Sequence, residues 1–559
     1  MNRLEQLLAQ LVRDRYGHDV DVVLTRPDAH FGDASTNVAM QLAKPLGRAP
    51  RDIAEELSEM LANEADVASA EVAGPGFLNI RFSTELLIQE MQRVVDKVYD
   101  GTNVVLEYSC PNAFKELHTG HLYNTIFGDI LARLLEKTGA TVNRTSFGGD
   151  VGLHVAKCLY GMQLMLADAK PSTLDEVDSS PFVRAHWISQ CYVRGAGLYE
   201  QDSAAKDRID ELNREVYALH EDNDHESALA QLYWTTRQWS YDYFTAFYGM
   251  INVDTMHYYP ESQTAPVGLK IVREELAKGN LKESEGAVVF EGDEKKHLHT
   301  RVFITSKGLP TYETKDIGVI RLEQEDYSFE KRILITGNDQ KEYMRVVFAA
   351  ADKFEPGLAR KMTHLTNGTV RFGDGTKMSS RLGNVSRAID VIDVVREKVR
   401  EIVQEDTLVE SVALGAIKYV FARYRIGGDI AFDLDETVTL QGNSGPYLQY
   451  AHARARSIVA KSDSSLQPSE HYLYNDDERR LASKLGEYAP VVERAARELA
   501  PHHICTYLFE LAQEFNRFYE HNRVIGAPEE ADRLVLVMRY AETLREGLGI
   551  LGIDAPDRM

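Results

Sequence analysis

Cysteine is scarce in this chain, with four residues among 559 and no pair at C-x-x-C spacing. That scarcity excludes the usual zinc ribbon and favours free thiols in a reducing cytoplasm, where we expect the protein to reside. Long apolar runs are missing too: no stretch approaches the roughly 18 residues that a membrane helix needs, so no membrane contact is expected. The first residues, Met1 to Arg13, mix leucine with charged side chains, which predicts an amphipathic helix and not a signal peptide.

Basic residues are outnumbered, with 63 Lys and Arg against 86 Asp and Glu, which gives a formal net charge of −23. This balance argues against indiscriminate nucleic-acid binding, but it leaves room for a shaped nucleic-acid partner because local patches decide contact. Six basic residues fall within one stretch of the C-terminal third: Lys418, Arg423, Arg425, Arg454, Arg456 and Lys461. From charge alone, solvated helix faces explain that stretch as well as a nucleic-acid contact does.

Strands and helices follow a three-part order along the chain. Residues 1–100 combine helical runs with a strand-like stretch, which predicts a small α+β module. From 101 to 387 strands and helices alternate around a mostly helical insertion at about 155–250, the pattern of a parallel, doubly wound sheet. From 388 to 559 amphipathic runs, one of them continuous over 476–499, predict a helix bundle. The predicted fold class is therefore α/β: a Rossmann-type parallel-sheet domain between an α+β module and an all-α bundle.

Two histidines stand at the start of a predicted helix. The run His118-Thr119-Gly120-His121 lies between a β-branched apolar stretch, 104–108, and an amphipathic run, 126–135, so it occupies a strand-to-helix turn. Residues three apart share a helix face, and a helix N-terminus favours phosphate through its free N–H groups and its dipole. Gly120 allows a nucleotide to approach the backbone closely. Alone the motif is weak, because paired histidines at a helix start are more often capping or metal-adjacent structure.

A second segment carries mobile cations and hydroxyl groups. After a strand-like stretch, 364–372, and a glycine-rich loop, 373–376, the chain reads Lys377-Met378-Ser379-Ser380-Arg381. Such groups suit the charge that builds on a triphosphate during displacement, although alone the segment is an ordinary surface loop. Ligands of doubly wound sheets bind at the carboxyl ends of strands, where the two halves meet. Because both motifs follow strands, together they predict attack on ATP at its α-phosphate.

The stretch around the histidines resembles a known family. Residues 107–122 read EYSCPNAFKELHTGHL and are similar to E-[YF]-S-S-P-N-x-x-K-P-x-H-x-G-H-L of the arginyl-tRNA synthetases, which are class I aminoacyl-tRNA synthetases. Cys110 and Glu116 depart from this pattern, where serine and proline are usual. Tyr312-x-Thr314-Lys315-Asp316 matches the family's Y-x-T-[RK]-D. Further likeness lies at residues 32–39, 74–77, 148–152, 442–454 and 547–553.

The resemblance implies an enzyme that activates L-arginine with ATP, accompanied by Mg²⁺, and transfers it to tRNA-Arg. His118 and His121 would donate to the phosphates, and Lys377 would hold the departing pyrophosphate. Because Ser380 stands where many relatives carry a second lysine, another cation is required, for which Lys115 is the candidate and Arg381 the competitor. The other residues expected at the ATP are Gly120, Met378, Ser379 and Ser380. No metal ligand from the protein itself is expected.

Selecting arginine requires acidic side chains, because guanidinium is planar and always charged and pairs best with coplanar carboxylates. The resemblance assigns Glu261, Tyr312 and Asp316 to the guanidinium, Glu107 and Asn112 to the α-amino group, and Gln340 to the surroundings. Taken singly, each acid is more often a surface charge. Lysine or citrulline would leave a buried group wrongly paired, which discriminates by ~10⁴–10⁵ without editing. The insertion at about 155–250 is therefore interpreted as connective structure.

The helix bundle is expected to bind the anticodon arm of the tRNA. Unpaired bases are read by stacking on aromatic or arginine planes. The candidate contacts are Tyr447, Gln449, Arg454, Tyr519 and Arg523 in the bundle, and Phe77 and Asn79 in the N-terminal module. Phe77 is as easily part of the module core. We expect a monomer whose activation of arginine depends on bound tRNA, as is frequent in the family.

Two other classes of function fit parts of the pattern. A small-molecule nucleotidyltransferase shares an H-x-G-H motif and a lysine loop, but such chains are usually much shorter and lack a helical tail. A non-catalytic paralogue that binds tRNA or protein would more often have lost His118, His121 or Lys377, and all three are present.

Overall fold

The computed structural model describes residues 2–25, 27, 31–166, 171–372, 387–462, 467–469 and 472–559. The predictions for Lys377, Met378, Ser379, Ser380 and Arg381 therefore lie outside the described residues. Among those that are described, no helix combines the length and apolar character required to cross a bilayer.

A small antiparallel sheet backed by helices forms the first part of the chain. Its elements are α1 (Asn2–Tyr16), β1 (Ala34–Thr36), α2 (Val38–Leu46), α3 (Pro50–Leu61), β2 (Val67–Ala73), β3 (Phe77–Phe82) and α4 (Thr84–Met91). The strand order is β1–β3–β2, with Ala34 opposite Ile80. Leu42, Leu57 and Ile80 are fully buried between the helices and the sheet. The predicted N-terminal amphipathic helix is present as α1.

A five-stranded parallel sheet forms the centre of the molecule. Its strands are β4 (Asn103–Glu107), β5 (Thr141–Gly148), β6 (His257–Pro260), β10 (Lys331–Gly337) and β11 (Met362–Asn367). The order is β11–β10–β4–β5–β6. The chain therefore adds β5 and β6 on one side of β4 and then β10 and β11 on the other side. Val104, Val105 and Leu106 are fully buried, as expected for a parallel strand covered on both faces. The parallel-sheet prediction is confirmed.

Helices cover both faces of this sheet and fill the insertion. They are α5 (Thr119–Lys137), α6 (Leu153–Met165), α7 (Pro181–Gln201), α8 (Ser203–Glu221), α9 (Ala228–Met250), α10 (Glu261–Ala277), α11 (Tyr312–Tyr327) and α12 (Lys341–Phe354). Between α10 and α11 lies an antiparallel sheet that the sequence pattern did not predict: β7 (Lys282–Ser284), β8 (Ala287–Phe290) and β9 (Arg301–Ile304). Strands of three or four residues are too short to show a clear alternation.

The strand predicted over 364–372 is two strands. After β11 the chain turns at Gly368 and continues as β12 (Val370–Phe372), which pairs in parallel with β13 (Ile430–Phe432). A Cβ at Gly368 would lie 2.2 Å from the carbonyl oxygen of Gly428, so only glycine permits this close approach.

The last part of the chain is helical. Its helices are Ala388–Arg400, Asp406–Ala422, Leu434–Val438, Gly445–Ala460, Asp476–Leu485, Tyr488–Glu498, His502–His521 and Glu530–Ile550. The prediction of one helix over 476–499 is wrong, because two helices meet at Gly486. Pro490 has no N–H to donate to the Gly486 carbonyl, which interrupts the helical hydrogen bonds there.

The N-terminal module and the helix bundle share one apolar core with α5 of the central domain. A buried arginine also joins them, since Arg479 Nη2 donates to Asp33 Oδ2 and to the carbonyl of Phe82, each at 2.6 Å. Arg93 Nη2 lies 3.0 Å from Glu493 Oε1 in a second link. The three parts therefore pack as one body around the sheet.

Candidate active site

A cleft of about 540 Å³ opens at the carboxyl ends of the central strands. Its walls come from the segments after β4, β5 and β10 and from the first turns of α5, α10 and α11. Nine residues predicted from the sequence line it: Glu107, Asn112, His118, Gly120, His121, Glu261, Tyr312, Asp316 and Gln340. Residues far apart in the chain thus meet where the strand order reverses, the usual ligand position in such sheets.

The loop after β4 has a strained backbone. Ser109, Cys110 and Phe114 have φ angles of 68°, 50° and 65°, a left-handed region that costs non-glycine residues about 1–3 kcal/mol each. Buried side chains hold this conformation: Ser109 N donates to Asn124 Oδ1 at 2.7 Å, and Phe114 N donates to Ser240 Oγ at 3.0 Å. The loop is thereby held with Cys110 in the cleft wall.

Asn112 is oriented by one backbone contact. Its Oδ1 accepts from Gly149 N at 2.7 Å, and this bond decides which end of the amide is the oxygen. The NH₂ group of Asn112 is a donor, which suits a carboxylate better than an ammonium group. The contact predicted for Asn112 stays a prediction, and its NH₂ group is the donor that remains available.

The two histidines cap their own helix. His118 Nδ1 accepts from Gly120 N at 3.0 Å and from His121 N at 3.3 Å, while His121 Nδ1 accepts from His118 N at 3.2 Å. The rings stack with their centroids 3.7 Å apart. Burial lowers the pKa of both imidazoles, and the charge of Lys115 lowers each pKa further. Because both Nδ1 atoms accept, each neutral ring carries its proton on Nε2, and the pair presents two N–H donors.

This capping corrects one part of the sequence prediction. The N–H groups of Gly120 and His121, expected to be free for phosphate, are already bonded to the His118 ring. A Cβ at Gly120 would lie 2.9 Å from His118 Cε1, so the glycine makes room for that ring. The histidine side chains, and not these two backbone groups, are the donors that the turn offers.

A buried ionic network lies under one wall of the cleft. Arg332 Nη2 contacts Glu107 Oε2, and Arg332 Nε lies 2.6 Å from Glu323 Oε2, with all three side chains almost fully buried. Thr145 Oγ1 donates to the other oxygen of Glu323 at 2.6 Å. Burial raises the pKa of Glu107 to about 7, and Arg332 opposes the rise. The charge of Arg332 thus keeps the pKa of Glu107 from rising further.

Two further acids line the cleft and differ in their partners. Glu261 Oε2 lies 2.6 Å from the buried Lys315 Nζ. Asp316 accepts from the hydroxyl of Tyr343, but no ion pair reaches it from any described residue. Burial, and next the carboxylate of Glu107, raise the pKa of Asp316 well above its usual range. Of these two acids, Asp316 is the one without an ion pair to a described residue, although the charge of Arg332 acts on it.

Three other predicted residues, Tyr312, Gln340 and Lys115, lie at the rim of the cleft or beside it. Tyr312 is 66 % exposed, with Lys315 Nζ 5.0 Å from its ring centroid, and Gln340 is also exposed. Lys115 is half-buried, and its Nζ lies 4.6 Å from the ring of Tyr192 in the insertion. Lys115 does not line the cleft, although its charge acts on both histidines.

Sequence reasoning missed several groups of the site, chiefly Arg332, Tyr343, Asn124 and Ser109. A signal existed for Arg332, because a charged residue inside the apolar run of β10 is buried only when it is paired. Tyr343 and Asn124 lie inside helical patterns, where nothing in the spacing separates them from ordinary helix residues.

Three of the predicted tRNA contacts form one cluster on the helix bundle. The Arg454 guanidinium lies 4.7 Å from the ring centroid of Tyr519, and Arg454 Nη1 lies 3.3 Å from Asn516 Oδ1. Asn516 Nδ2 donates to the hydroxyl of Tyr447 at 2.9 Å. Arg523 is exposed and donates to the carbonyl of Ile525 at 2.9 Å.

Several residues that the sequence suggested for tRNA binding have buried side chains. Gln449 is fully buried, and its amide donates to the carbonyls of Ser411 and Asp554, so a direct tRNA contact by Gln449 is contradicted. Lys418, counted in the basic stretch, is also buried and donates to the carbonyl of Gly552 at 2.7 Å. In the N-terminal module Phe77 is 42 % exposed, whereas Asn79 is buried.

Known proteins match the whole chain. The family "Arginyl tRNA synthetase N terminal domain" matches residues 2–82, "tRNA synthetases class I (R), catalytic domain" matches 83–428, and "DALR anticodon binding domain" matches 448–559. An arginine–tRNA ligase of Synechococcus elongatus is 30 % identical, covering 100 % of this chain and 98 % of its own. One from Porphyromonas gingivalis is 28 % identical, with 100 % of both chains covered.

Solved structures agree with these matches. The arginyl-tRNA synthetase of Thermus thermophilus has a TM-score of 0.78 at 26 % identity, with 100 % of both chains covered. That of Plasmodium falciparum also has a TM-score of 0.78, at 19 % identity over 100 % of this chain and 99 % of its own, which shows the shared fold. The matches include the helical part that a small nucleotidyltransferase lacks. The chain belongs to the arginyl-tRNA synthetase family of class I aminoacyl-tRNA synthetases.

Proposed function

We propose that the cleft at the sheet edge is where this arginine–tRNA ligase joins arginine to ATP. The enzyme activates L-arginine with ATP to arginyl-adenylate and transfers the arginyl group to tRNA-Arg, releasing AMP and pyrophosphate. The observation that carries the site assignment is that nine residues, predicted from separate motifs, line one cleft.

On the ATP side, we assign the two Nε2–H groups of His118 and His121 to phosphate oxygens. An α-carboxylate oxygen of arginine attacks the α-phosphorus, the bond to the bridging oxygen breaks, and pyrophosphate leaves. Neutral donors held by their own cap need no rearrangement as charge shifts to the leaving group. Lys377, with Met378, Ser379, Ser380 and Arg381, is proposed to hold that group. Lys115 is the proposed additional cation, supported by its effect on the histidine pKa values.

Mg²⁺ is proposed to enter with ATP. Within the described part of the chain, no group of three or more His, Cys, Asp or Glu side chains is placed to hold a metal ion. Mg²⁺ usually keeps several waters and takes its other ligands from one or two carboxylates and substrate phosphates. We therefore assign most of its ligands to the triphosphate and to water.

On the arginine side, we assign Asp316 to the guanidinium. It is buried, it is oriented by Tyr343, and no ion pair reaches it from a described residue. Because its pKa is raised, a bound guanidinium would stabilise the charged form of this carboxyl. Glu261 would contribute through Oε1, because Lys315 contacts Oε2. Glu107, held by Arg332, is assigned to the α-amino group. Tyr312 and Gln340 would close the rim.

Arginine binding should strengthen as pH rises through neutrality. The raised pKa of Glu107, about 7, leaves a fraction of this residue protonated in mildly acidic solution, where it cannot pair with an ammonium group. The Michaelis constant for arginine should therefore fall between about pH 6 and about pH 8, by at most about tenfold per pH unit per group. Steady-state pyrophosphate exchange over this range measures it. Glu107→Gln should weaken this pH dependence and leave the part that comes from Asp316, whose pKa is also raised. An unchanged profile in that variant would remove Glu107 from the α-amino role.

On the tRNA side, we propose that the cluster of Tyr447, Arg454 and Tyr519 contacts the anticodon arm and that Phe77 contacts the tRNA from the N-terminal module. Exposed or half-buried aromatic and arginine planes suit stacking by unpaired bases. Arg523 is a further candidate, whereas Asn79 would have to act through its neighbours. The domain boundaries 1–100, 101–387 and 388–559 stay predictions, as do a monomeric, cytoplasmic enzyme and tRNA-dependent activation of arginine.

Charging assays test the function directly. With all twenty amino acids, we expect arginine alone to be esterified to tRNA, and ATP–pyrophosphate exchange with arginine to increase when tRNA is added. Charging of another amino acid in place of arginine would contradict the specificity while leaving the class intact.

A further inference from the structure

A polar junction joins the histidine turn to two other parts of the chain. Glu116 lies two residues before His118, and its side chain is only 9 % exposed. Oε1 of Glu116 lies 3.5 Å from Arg387 Nη1, and Oε2 lies 3.3 Å from His186 Nδ1. His186 belongs to α7 of the insertion, and Arg387 directly precedes the helix Ala388–Arg400. One carboxylate therefore contacts two separate elements from the turn that carries His118.

The backbone joins two of these segments as well. Ala388 N donates to the carbonyl of Leu117 at 2.8 Å, and His118 and Arg387 form an isolated antiparallel bridge. Arg387 also anchors its own helix start, because its Nη2 lies 2.5 Å and its Nε 3.1 Å from Asp390 Oδ1. Since Asp390 supplies that anchor, the contact with Glu116 is not required to begin the helix. What the Glu116 contact adds is a side-chain link to the His118 turn.

His186 completes the junction in either of two tautomers. Its Nδ1 lies 3.1 Å from Arg387 Nη1 as well as close to Glu116, and its Nε2 lies 3.2 Å from Gln190 Nε2. With its proton on Nδ1 the ring donates to Glu116 and accepts from Gln190. With its proton on Nε2 the ring accepts from Arg387, and the Gln190 amide then has to present its oxygen to Nε2–H. In both cases Arg387 remains the fixed positive partner of Glu116.

We propose that Glu116 is a positioning residue for the ATP step, and this proposal rests on the proposed role of His118. The pairing of Glu116 with Arg387 holds the histidine turn in place against the start of the helical part. The His118 and His121 rings are fixed to each other by their cap, so they move as a unit with the turn. A small displacement of that unit misaligns both Nε2–H donors with the phosphates, and misalignment costs rate. Arginine is held by acids of β4, α10 and α11, so its affinity should not depend on this link.

Glu116→Gln and Arg387→Gln test the link in pyrophosphate exchange with the full-length enzyme. Each should lower the turnover number by about 10- to 100-fold, because a misplaced donor loses transition-state contacts. The Michaelis constant for arginine should stay within about twofold. The double variant should be no slower than the slower single variant, since both changes remove the same Glu116–Arg387 pair. Arg387→Lys keeps the charge and should recover part of the lost rate.

A neighbouring ion pair provides the matched control. Arg396 Nη2 and Glu410 Oε1 lie 2.6 Å apart and join the helix Ala388–Arg400 to the next helix, with no contact to the cleft. Glu410→Gln should therefore leave the turnover number unchanged, and thermal unfolding of every variant separates loss of folding from loss of rate. A normal turnover number in Glu116→Gln, an equal rise in the arginine Michaelis constant, or the same loss in Glu410→Gln would overturn the proposal. Absence of arginine-dependent exchange in the unmodified enzyme would instead overturn the proposed function.

Discussion

Replacing Asp316 by asparagine should raise the Michaelis constant for arginine by about 10²- to 10³-fold. The change keeps the shape of the side chain and its contact with Tyr343, but it removes a carboxylate that forms no ion pair with any described residue. A guanidinium bound there would be a buried charge without its partner, a loss of about 3–5 kcal/mol. Since the phosphate donors are untouched, the turnover number at saturating arginine should change by only a few fold. Steady-state exchange kinetics separate the two constants.

A second aspartate on the same helix is the control for this change. Asp326 also accepts a tyrosine hydroxyl, from Tyr259 at 2.6 Å, but it is exposed and does not line the cleft. Asp326→Asn should leave arginine kinetics unaltered. Should Asp316→Asn bind arginine as tightly as the unmodified enzyme, the guanidinium site must be sought at Glu261.

Replacing His118 by alanine should lower the turnover number by about 10²- to 10³-fold with little effect on the arginine Michaelis constant. A donor aimed at charge that develops in the transition state contributes mainly to the rate. Alanine also removes the helix cap, because His118 Nδ1 accepts from Gly120 N and His121 N, and such a loss costs about 1 kcal/mol of stability. The effect of His118→Ala on the turnover number therefore has to be distinguished from its effect on stability.

His118→Asn makes that separation, because asparagine caps a helix well but has no Nε2–H at that reach. This variant should be as slow as His118→Ala and more stable in thermal unfolding. Ser83 caps α4 outside the cleft by accepting from Leu86 N at 3.2 Å, so Ser83→Ala shows the effect of a lost cap alone. Normal turnover in His118→Asn would mean that the imidazole acts only as a cap.

The ligand-binding edge could be predicted because its residues follow strands. His118 caps α5, which follows β4, in a stretch of the chain where strand and helix alternate. In a parallel sheet the carboxyl ends of such strands must lie on the same edge. Pattern and topology therefore placed His118, Gly120 and His121 at this edge, whereas the other six cleft residues came from the family resemblance.

Partners across the sheet could not be predicted in the same way. Arg332 pairs with Glu107 on a neighbouring strand and with Glu323 on a covering helix, and no spacing in the sequence encodes those contacts. The pairing of Lys315 with Glu261 is hidden for the same reason. Gln449 shows the converse error, because a polar residue in a helical pattern was taken as a surface group although its amide bonds two buried carbonyls.

The contact between the first and last parts of the chain has a consequence for synthesis. Arg93 and Glu493 are 400 residues apart, and Asp33 and Arg479 are 446 apart. At ribosomal rates of about 5–20 residues per second, the surface that α4 covers emerges ~20–80 s after α4 itself. During that interval α4, with its buried Leu86, Leu87 and Met91, lacks the helix Asp476–Leu485 that it packs against in the folded chain. The interface between α4 and the C-terminal helices therefore closes last, when synthesis of the chain is nearly complete.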